Sequence, residues 1–88
     1  MDKEKIYDLI IIGAGPAGLS ASIYASRYKL DHLIFGTEEG GQMKEIRAIE
    51  NWPGDISVSG CDLISRMVAH SQSYGIKIKK ESVVSIKK

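Results

Sequence analysis

A glycine-rich turn between an apolar run and a helical pattern restricts the fold of this chain more than any other feature. Residues Gly13–Gly18 follow the pattern G-x-G-x-x-G. The run Ile6–Ile12 before them is rich in β-branched residues and stops at a glycine, which predicts a buried parallel strand. Pro16 suits the first turn of a helix, because proline lacks an N–H group that would be unpaired there. The sequence therefore predicts a strand, a tight turn and a helix over 17–28.

The spacing of the three glycines has a physical explanation in nucleotide binding. The first glycine allows a tight exit from the strand, the second lets the backbone approach a pyrophosphate, and the third lets the helix pack on the strand. The unpaired N–H groups and the dipole at a helix start attract a diphosphate. The alternative is a glycine turn that binds no ligand. We predict dinucleotide binding by the six residues Gly13, Ala14, Gly15, Pro16, Ala17 and Gly18.

The next segments extend this unit. A second apolar run, His32–Phe35, ends at a glycine and completes a β-α-β unit of about 30 residues. The stretch 36–54 is rich in glycine and has no sustained period, so we predict a long functional loop with a helical turn over Gln42–Ile46. Two further strands are predicted over 76–79 and 83–86. The pattern predicts the α/β class with a parallel sheet.

A second helix is predicted between the loop and the last strands. Ser59 is the expected N-cap, with Asp62 as the acidic partner three residues later. Apolar and small residues then recur at helical spacing, and Gly75 is the expected C-cap. This segment completes the order β-α-β-loop-α-β-β.

Composition excludes several classes of function. A net charge of +1 over 88 residues gives no basic surface for nucleic acid and no polybasic membrane anchor. The longest apolar run, Leu9–Ile12, is far shorter than the roughly 20 residues of a membrane span. The single cysteine, Cys61, excludes a disulfide framework or a Cys-x-x-Cys pair within this sequence. We interpret it as a small, inert packing residue, and the alternative is a reactive thiol at the start of a helix. His32 and His70 have no second ligand near them in sequence, so we interpret both as structural residues and predict no metal site.

The motif by itself does not identify the dinucleotide. In the usual pattern an acidic residue about 20 positions after the glycines holds the ribose hydroxyls. The second strand ends without such an acid at Phe35, and the first carboxylates, Glu38 and Glu39, follow just beyond it. The glycine pattern therefore leaves FAD and NAD(P) as alternatives.

Three segments in a fixed order carry a more specific resemblance. They are 13–21 (GAGPAGLSA), 36–42 (GTEEGGQ) and 49–54 (IENWPG). Together they resemble the start of the low-molecular-weight thioredoxin reductases of bacteria and archaea, in the pyridine nucleotide-disulfide oxidoreductase family. Gly60 with its helix, and the segment 83–86, continue the likeness. Members of this family commonly lack the acid at the end of the second strand, so its absence here agrees with the resemblance.

The resemblance implies that this segment binds FAD through a Rossmann-like β-α-β unit. The glycine turn would hold the pyrophosphate, and Glu38 or Glu39 would meet the ribose hydroxyls. Gln42 and Asn51 would hydrogen-bond near the ribityl chain and the flavin, and the backbone of Val83 would meet the adenine. Beyond the glycine turn, the implied cofactor-binding residues are Phe35, Gly36, Thr37, Glu38, Glu39, Gly40, Gly41, Gln42, Asn51 and Val83. Trp52 fits either a packing anchor or a shield for the flavin.

The resemblance also implies a reaction for the complete protein. A hydride passes from NADPH to FAD, and two electrons then pass to a cysteine pair and on to thioredoxin. The cysteine pair and the NADPH domain would lie beyond these 88 residues, which form an N-terminal part of a three-layer FAD/NAD(P)-binding domain. No catalytic residue is expected in this part, and the complete enzyme is expected to be a cytoplasmic homodimer without nucleic-acid or membrane partners.

Two other functions remain open at this level. One is a ferredoxin or flavodoxin reductase of the thioredoxin-reductase-like type, which lacks the cysteine pair. The other is a self-contained, non-catalytic nucleotide-binding module. For the isolated segment we expect weak retention of FAD or none, because much of the enclosing surface would be missing.

Overall fold

The computed structural model describes residues 6–38 and 40–87, and a small parallel sheet lies at their centre. The strands are β1 (Leu9–Ile12), β2 (His32–Phe35) and β3 (Ile78–Lys79), in the order β1-β2-β3. β2 pairs in parallel with both neighbours. The predicted α/β class with a parallel sheet is confirmed.

β1 is shorter than the predicted strand over 6–12. Its ladder with β2 begins where Leu9 lies opposite His32, and the N–H groups of Asp8 and Leu9 both donate to the carbonyl oxygen of Asp31. Ile6 precedes the first pair of this ladder, at a level where β2 has not yet begun, and it is 91% exposed. A strand extends only as far as its partner, and the apolar character of Ile6 could not reveal that limit.

The helices lie on one face of this sheet. α1 spans Pro16–Arg27, a 3₁₀ helix spans Gly41–Glu45, and α2 spans Gly60–Gln72. The 3₁₀ helix confirms the predicted helical turn to within one residue. At the start of α2 the backbone N–H of Asp62 donates to Ser59 Oγ at 3.1 Å, so the predicted N-cap is confirmed.

Only one face of β1 is buried among the described residues. Ile11, Ile34 and Ile78 share one side of the sheet through the pairing register. This side faces the helices, because Ile11 Cγ2 lies close to Gly18 of α1 and Ile78 packs against the core between α1 and α2. On the opposite side Ile10 and Ile12 are about half exposed, at 53% and 52%. The expectation of a fully buried strand is therefore wrong, because the described helices supply one covering layer and a parallel strand needs two.

The main core lies between α1, α2 and the loop that precedes α2. Leu19 of α1 and Ile64 of α2 are almost completely buried in it. The other buried members are Ile49, Leu63 and Met67. An antiparallel bridge between Ile49 and Val58 closes the loop over this core.

The carboxyl-terminal part departs from its predicted pattern. α2 ends at Gln72, and Gly75 lies in the turn beyond it with a φ of +83° instead of capping the helix. No strand forms over the predicted segment 83–86, where Val84 and Ile86 are exposed. A strand needs a neighbour that supplies hydrogen bonds, and within the described residues this segment has none.

A buried polar network joins α1, β2 and α2. His32 Nδ1 lies 3.1 Å from the carbonyl oxygen of Leu30, which can only accept, so Nδ1 carries the hydrogen. His32 Nε2 then accepts from the Ser22 hydroxyl at 2.8 Å, and Ser22 Oγ accepts from the Ser71 hydroxyl at 2.9 Å. These contacts support the structural interpretation of His32. His70, by contrast, is exposed and stacks on Tyr74.

Cys61 is an exposed free thiol, so its interpretation as a packing residue is wrong. Over residues 6–38 and 40–87, no group of His, Cys, Asp and Glu side chains is arranged to hold a metal ion. No helix in that part of the chain is long and apolar enough to cross a membrane.

Candidate functional site

The glycine turn leaves β1 in a conformation that only glycine adopts easily. Gly13 has a φ of +111°, and its N–H donates to the carbonyl oxygen of Phe35 at 2.6 Å. A Cβ atom placed on Gly18 would overlap the carbonyl oxygen of Gly13 and approach Ile11 Cγ2 to 3.3 Å. The first and third glycines therefore serve the backbone itself: one makes the turn, and the other lets α1 lie against it.

The start of α1 offers unpaired donors. Gly15 occupies the N-cap without a capping side chain, and the first turn contains no acidic residue. The first intrahelical bond runs from Leu19 N to Gly15 O at 2.9 Å. The N–H groups of Ala17 and Gly18 precede that bond and have no intrahelical partner. The positive end of the helix is thus left for a group from outside the helix.

The loop after β2 packs directly on the glycine turn. A Cβ atom on Gly36 would lie 2.9 Å from the nitrogen of Ala14, so the two backbones are in close contact. The N–H of Gly40 donates to the carbonyl oxygen of Ala14 at 2.7 Å, and the N–H of Gly36 donates to that of Lys79 at 2.9 Å. These bonds bring the ends of β1, β2 and β3 to one edge of the sheet.

Two adjoining hollows of about 370 and 730 Å³ lie at this edge and share Gly15 and Gly41. The smaller hollow lies between the glycine turn, the residues that follow β2 and the segment after β3. The larger one lies between the start of α1 and the 3₁₀ helix. The smaller is lined by Ile12, Gly13, Ala14, Gly15, Gly36, Thr37, Glu38, Gly41, Glu81, Ser82 and Val83, and the larger by Gly15, Pro16, Gly40, Gly41, Gln42, Met43, Glu45 and Ile46.

Most of the predicted site residues are therefore brought together. Four line neither hollow: Ala17, Gly18, Phe35 and Asn51. Ala17 is on the exposed side of α1, Gly18 is within the helix, and Phe35 is half-buried in β2. Asn51 is exposed and lines a separate hollow formed by 50–56, together with Trp52. Glu39 lies outside the described residues.

Sequence reasoning missed several wall residues. Glu81 and Ser82 line the smaller hollow beside Val83. A usable signal was present, because ligands in open parallel sheets bind beyond the carboxyl ends of the strands, and both residues follow β3. Ile12 at the end of β1 obeys the same rule. Met43, Glu45 and Ile46 had no such signal, since their place depends on how the 3₁₀ helix packs.

The charged residues in the walls are acidic. Glu38 and Glu81 line the smaller hollow and Glu45 the larger, and no described wall residue of either is Lys or Arg. A phosphate here would therefore depend on backbone N–H groups and the helix dipole. Carboxylates accept hydrogen bonds, which suits the hydroxyl groups of a ribose.

Gly15 has no structural reason of its own to be glycine. Its φ of −82° and ψ of −171° are open to any L-amino acid, and a Cβ placed on it would meet no protein atom within 4 Å. That Cβ would project into space beside the two hollows that Gly15 lines. The absence of a side chain at Gly15 therefore leaves room for a ligand in contact with the backbone.

Comparison with known proteins agrees with this geometry. The family model for pyridine nucleotide-disulphide oxidoreductases matches residues 7–88. A thioredoxin reductase from Buchnera aphidicola subsp. Acyrthosiphon pisum is 47% identical over 88 residues, which cover 98% of this chain and 28% of that protein.

Solved structures give the same result. The crystal structure of Lactococcus lactis thioredoxin reductase has a TM-score of 0.78 and 35% identity, covering 83% of this chain and 24% of that one. A ferredoxin-flavin thioredoxin reductase from Clostridium acetobutylicum has a TM-score of 0.80 and 37% identity, and the match covers 88% of this chain and 27% of that one. The chain thus spans between 24% and 28% of the length of these relatives.

The resemblance noted in the glycine turn and the two later segments is therefore confirmed over nearly the whole sequence. The relatives and the parallel α/β architecture agree with each other. This chain belongs to the pyridine nucleotide-disulphide oxidoreductase family.

Proposed function

We propose that this chain is the N-terminal, FAD-binding part of an NADPH-dependent thioredoxin-disulfide reductase. The observation that carries the proposal is the open space beside Gly15, at the start of a helix without a capping side chain. The family match and the thioredoxin reductase relatives support FAD as the ligand and disulfide reduction as the chemistry.

The wall residues fit the parts of FAD. The N–H groups at the start of α1 suit its pyrophosphate. Glu38 and Glu81 suit ribose hydroxyls, and their negative charge disfavours an additional phosphate on the ribose. We assign the adenosine half to the smaller hollow, beside Val83, and the pyrophosphate and ribityl half to the larger one, beside Gln42. Asn51 retains its predicted role near the flavin.

In this proposal the chain's own residues bind and orient the cofactor. Backbone donors at the glycine turn hold the diphosphate, and Gly36, Gly40 and Gly41 lie beside that turn. When bound, FAD supplies two-electron transfer between a nicotinamide and a disulfide. The cysteine pair, the NADPH site and the thioredoxin contact belong to the remainder of a longer protein, in keeping with the 28% coverage of the Buchnera relative. We further propose that this protein is a cytoplasmic homodimer.

Replacing Gly15 with alanine in the full-length protein tests the proposal. We expect FAD affinity to fall about 100-fold, because the new methyl group would occupy space meant for the ligand. We expect the free energy of unfolding of the FAD-free protein to stay unchanged or to rise by up to about 1 kcal/mol, because alanine restricts the unfolded chain. Fluorescence titration with FAD and urea unfolding measure the two effects. An unchanged FAD affinity would contradict the assignment of this hollow.

The reaction itself is tested in the full-length protein. We expect a Cys-x-x-Cys pair after residue 88 and NADPH oxidation coupled to reduction of a thioredoxin disulfide. Replacing either of those cysteines should abolish disulfide reduction while FAD remains bound. A full-length protein without the pair would instead support the ferredoxin or flavodoxin reductase alternative.

A second candidate concerns the source of electrons. The similarity to the Clostridium acetobutylicum ferredoxin-flavin thioredoxin reductase favours ferredoxin as the alternative to NADPH. A loss of the visible absorbance of the bound flavin when NADPH is added supports the leading proposal. Bleaching by reduced ferredoxin alone supports the alternative.

A further inference from the structure

Gly60, the first residue of α2, makes an unusually close backbone contact outside the candidate site. Its N–H donates to the carbonyl oxygen of Ile46 at 2.8 Å. A Cβ atom placed on it would overlap the carbonyl oxygen of Met43, in the 3₁₀ helix, and would lie 3.1 Å from the carbonyl oxygen of Ile46. Gly60 is helical, so its backbone conformation does not require glycine. The close approach of two backbones is what requires it.

A second contact joins α2 to the same loop. The side chain of Ile64, one turn further along α2, lies directly against Gly40, where any Cβ atom would overlap it. Gly40 in turn donates its N–H to the carbonyl oxygen of Ala14 in the glycine turn. A continuous path of contacts therefore runs from the first turns of α2, through the segment 40–46, to the glycine turn.

This path matters because of where the segment lies. Gly40, Gly41 and Gln42 line the larger hollow, whereas no residue of α2 lines either hollow. α2 therefore lies one layer behind the site. The overlapping atom at Gly60 belongs to the backbone of the 3₁₀ helix, and a backbone atom cannot rotate away as the end of a flexible side chain can. A side chain at residue 60 would have to displace the helix or shift α2.

We infer that Gly60 is a positioning residue for the cofactor site: it lets α2 lie against the 3₁₀ helix and so sets where Gly41 and Gln42 stand in the wall. This inference rests on the proposed binding of FAD. It extends that proposal to a residue that no ligand would touch.

The test compares two glycine-to-alanine substitutions near opposite ends of α2 in the full-length protein. Gly60→Ala is expected to weaken FAD binding about tenfold, equivalent to losing one hydrogen bond to a charged group. It is also expected to change the visible circular dichroism of the bound flavin at saturation. The control is Gly75→Ala. The φ of +83° at residue 75 strains an alanine there, but the added Cβ atom would meet no protein atom within 4 Å. It should lower stability while keeping the wild-type FAD affinity and spectrum.

The outcomes separate the two proposals. If the wild-type protein binds FAD and Gly60→Ala matches it in affinity and spectrum, the positioning role is wrong and FAD binding stands. If the wild-type protein binds no FAD, both proposals are contradicted.

A second pair of variants decides the matter if Gly60→Ala does not fold. Ile64→Val keeps the Cβ and both γ carbons that lie against Gly40, whereas Ile64→Ala removes both γ carbons. At a temperature where both variants are folded, we expect Ile64→Ala to weaken FAD binding several-fold more than Ile64→Val. Equal affinities would overturn the inference.

Discussion

Replacing Gly18 with alanine in the full-length protein is expected to reduce FAD affinity at least about 100-fold and to destabilise the protein by about 1–3 kcal/mol. The added Cβ atom would overlap the carbonyl oxygen of Gly13 and lie 3.0 Å from its carbonyl carbon. Both atoms belong to the turn that leaves β1, so relief requires α1 to move away from the strand. That movement would displace the N–H groups proposed to hold the pyrophosphate.

The matched control for Gly18→Ala is Gly15→Ala, three residues earlier in the same turn. Both variants are expected to lose FAD, but only Gly18→Ala is expected to lose stability, because the Gly15 Cβ meets no protein atom. FAD titration and urea unfolding of the FAD-free variants distinguish them. A Gly18→Ala protein with wild-type stability would contradict this prediction, because it would show that a Cβ atom at residue 18 fits against the carbonyl group of Gly13 without cost.

Replacing His32 with alanine is expected to cost about 2–4 kcal/mol in the local stability of the helical layer. The imidazole is 3% exposed and accepts from the Ser22 hydroxyl, which also bonds Ser71. Its loss leaves the Ser22 hydroxyl in a completely buried position without its acceptor and creates a cavity between β2 and α1. Amide hydrogen exchange of the two helices measures the loss directly.

The control for this prediction is the other histidine, His70, which lies on α2. His70→Ala is expected to change stability by less than about 0.5 kcal/mol, because His70 is exposed on α2.

A double-mutant cycle between Ser22→Ala and Ser71→Ala should give a coupling of about 0.5–1.5 kcal/mol for their hydrogen bond. Equal effects of the two histidine substitutions would contradict the structural role assigned to the network.

The parts of the fold that were predicted correctly depend on short stretches of sequence. The N-cap at Ser59 needs only residues 59–62, because the hydroxyl reaches an N–H three positions away. The glycine turn likewise carries its strand, turn and helix within a continuous run of residues. A local pattern can be read from a sequence because the atoms that interact lie close together along the chain.

The incorrect predictions share a different origin. The pattern at 6–12 contains no information on where β2 begins, and the pattern at 83–86 contains none on whether a neighbouring strand exists. The residue type of Cys61 predicts a packing position, whereas its exposure depends on which face of α2 meets the core. Each of these properties is set by a partner distant in sequence.

The sequence by itself determined the β-α-β unit, the family and most residues of the candidate site, because glycine spacing and capping are local properties. Only the tertiary structure decided which of those residues share a wall. It placed Glu81 and Ser82 in the same hollow as the glycine turn, separated Asn51 from it, and brought Gly60 against the 3₁₀ helix. The physical reason is that close packing joins backbones far apart in the chain, and a sequence pattern does not specify the distance between them.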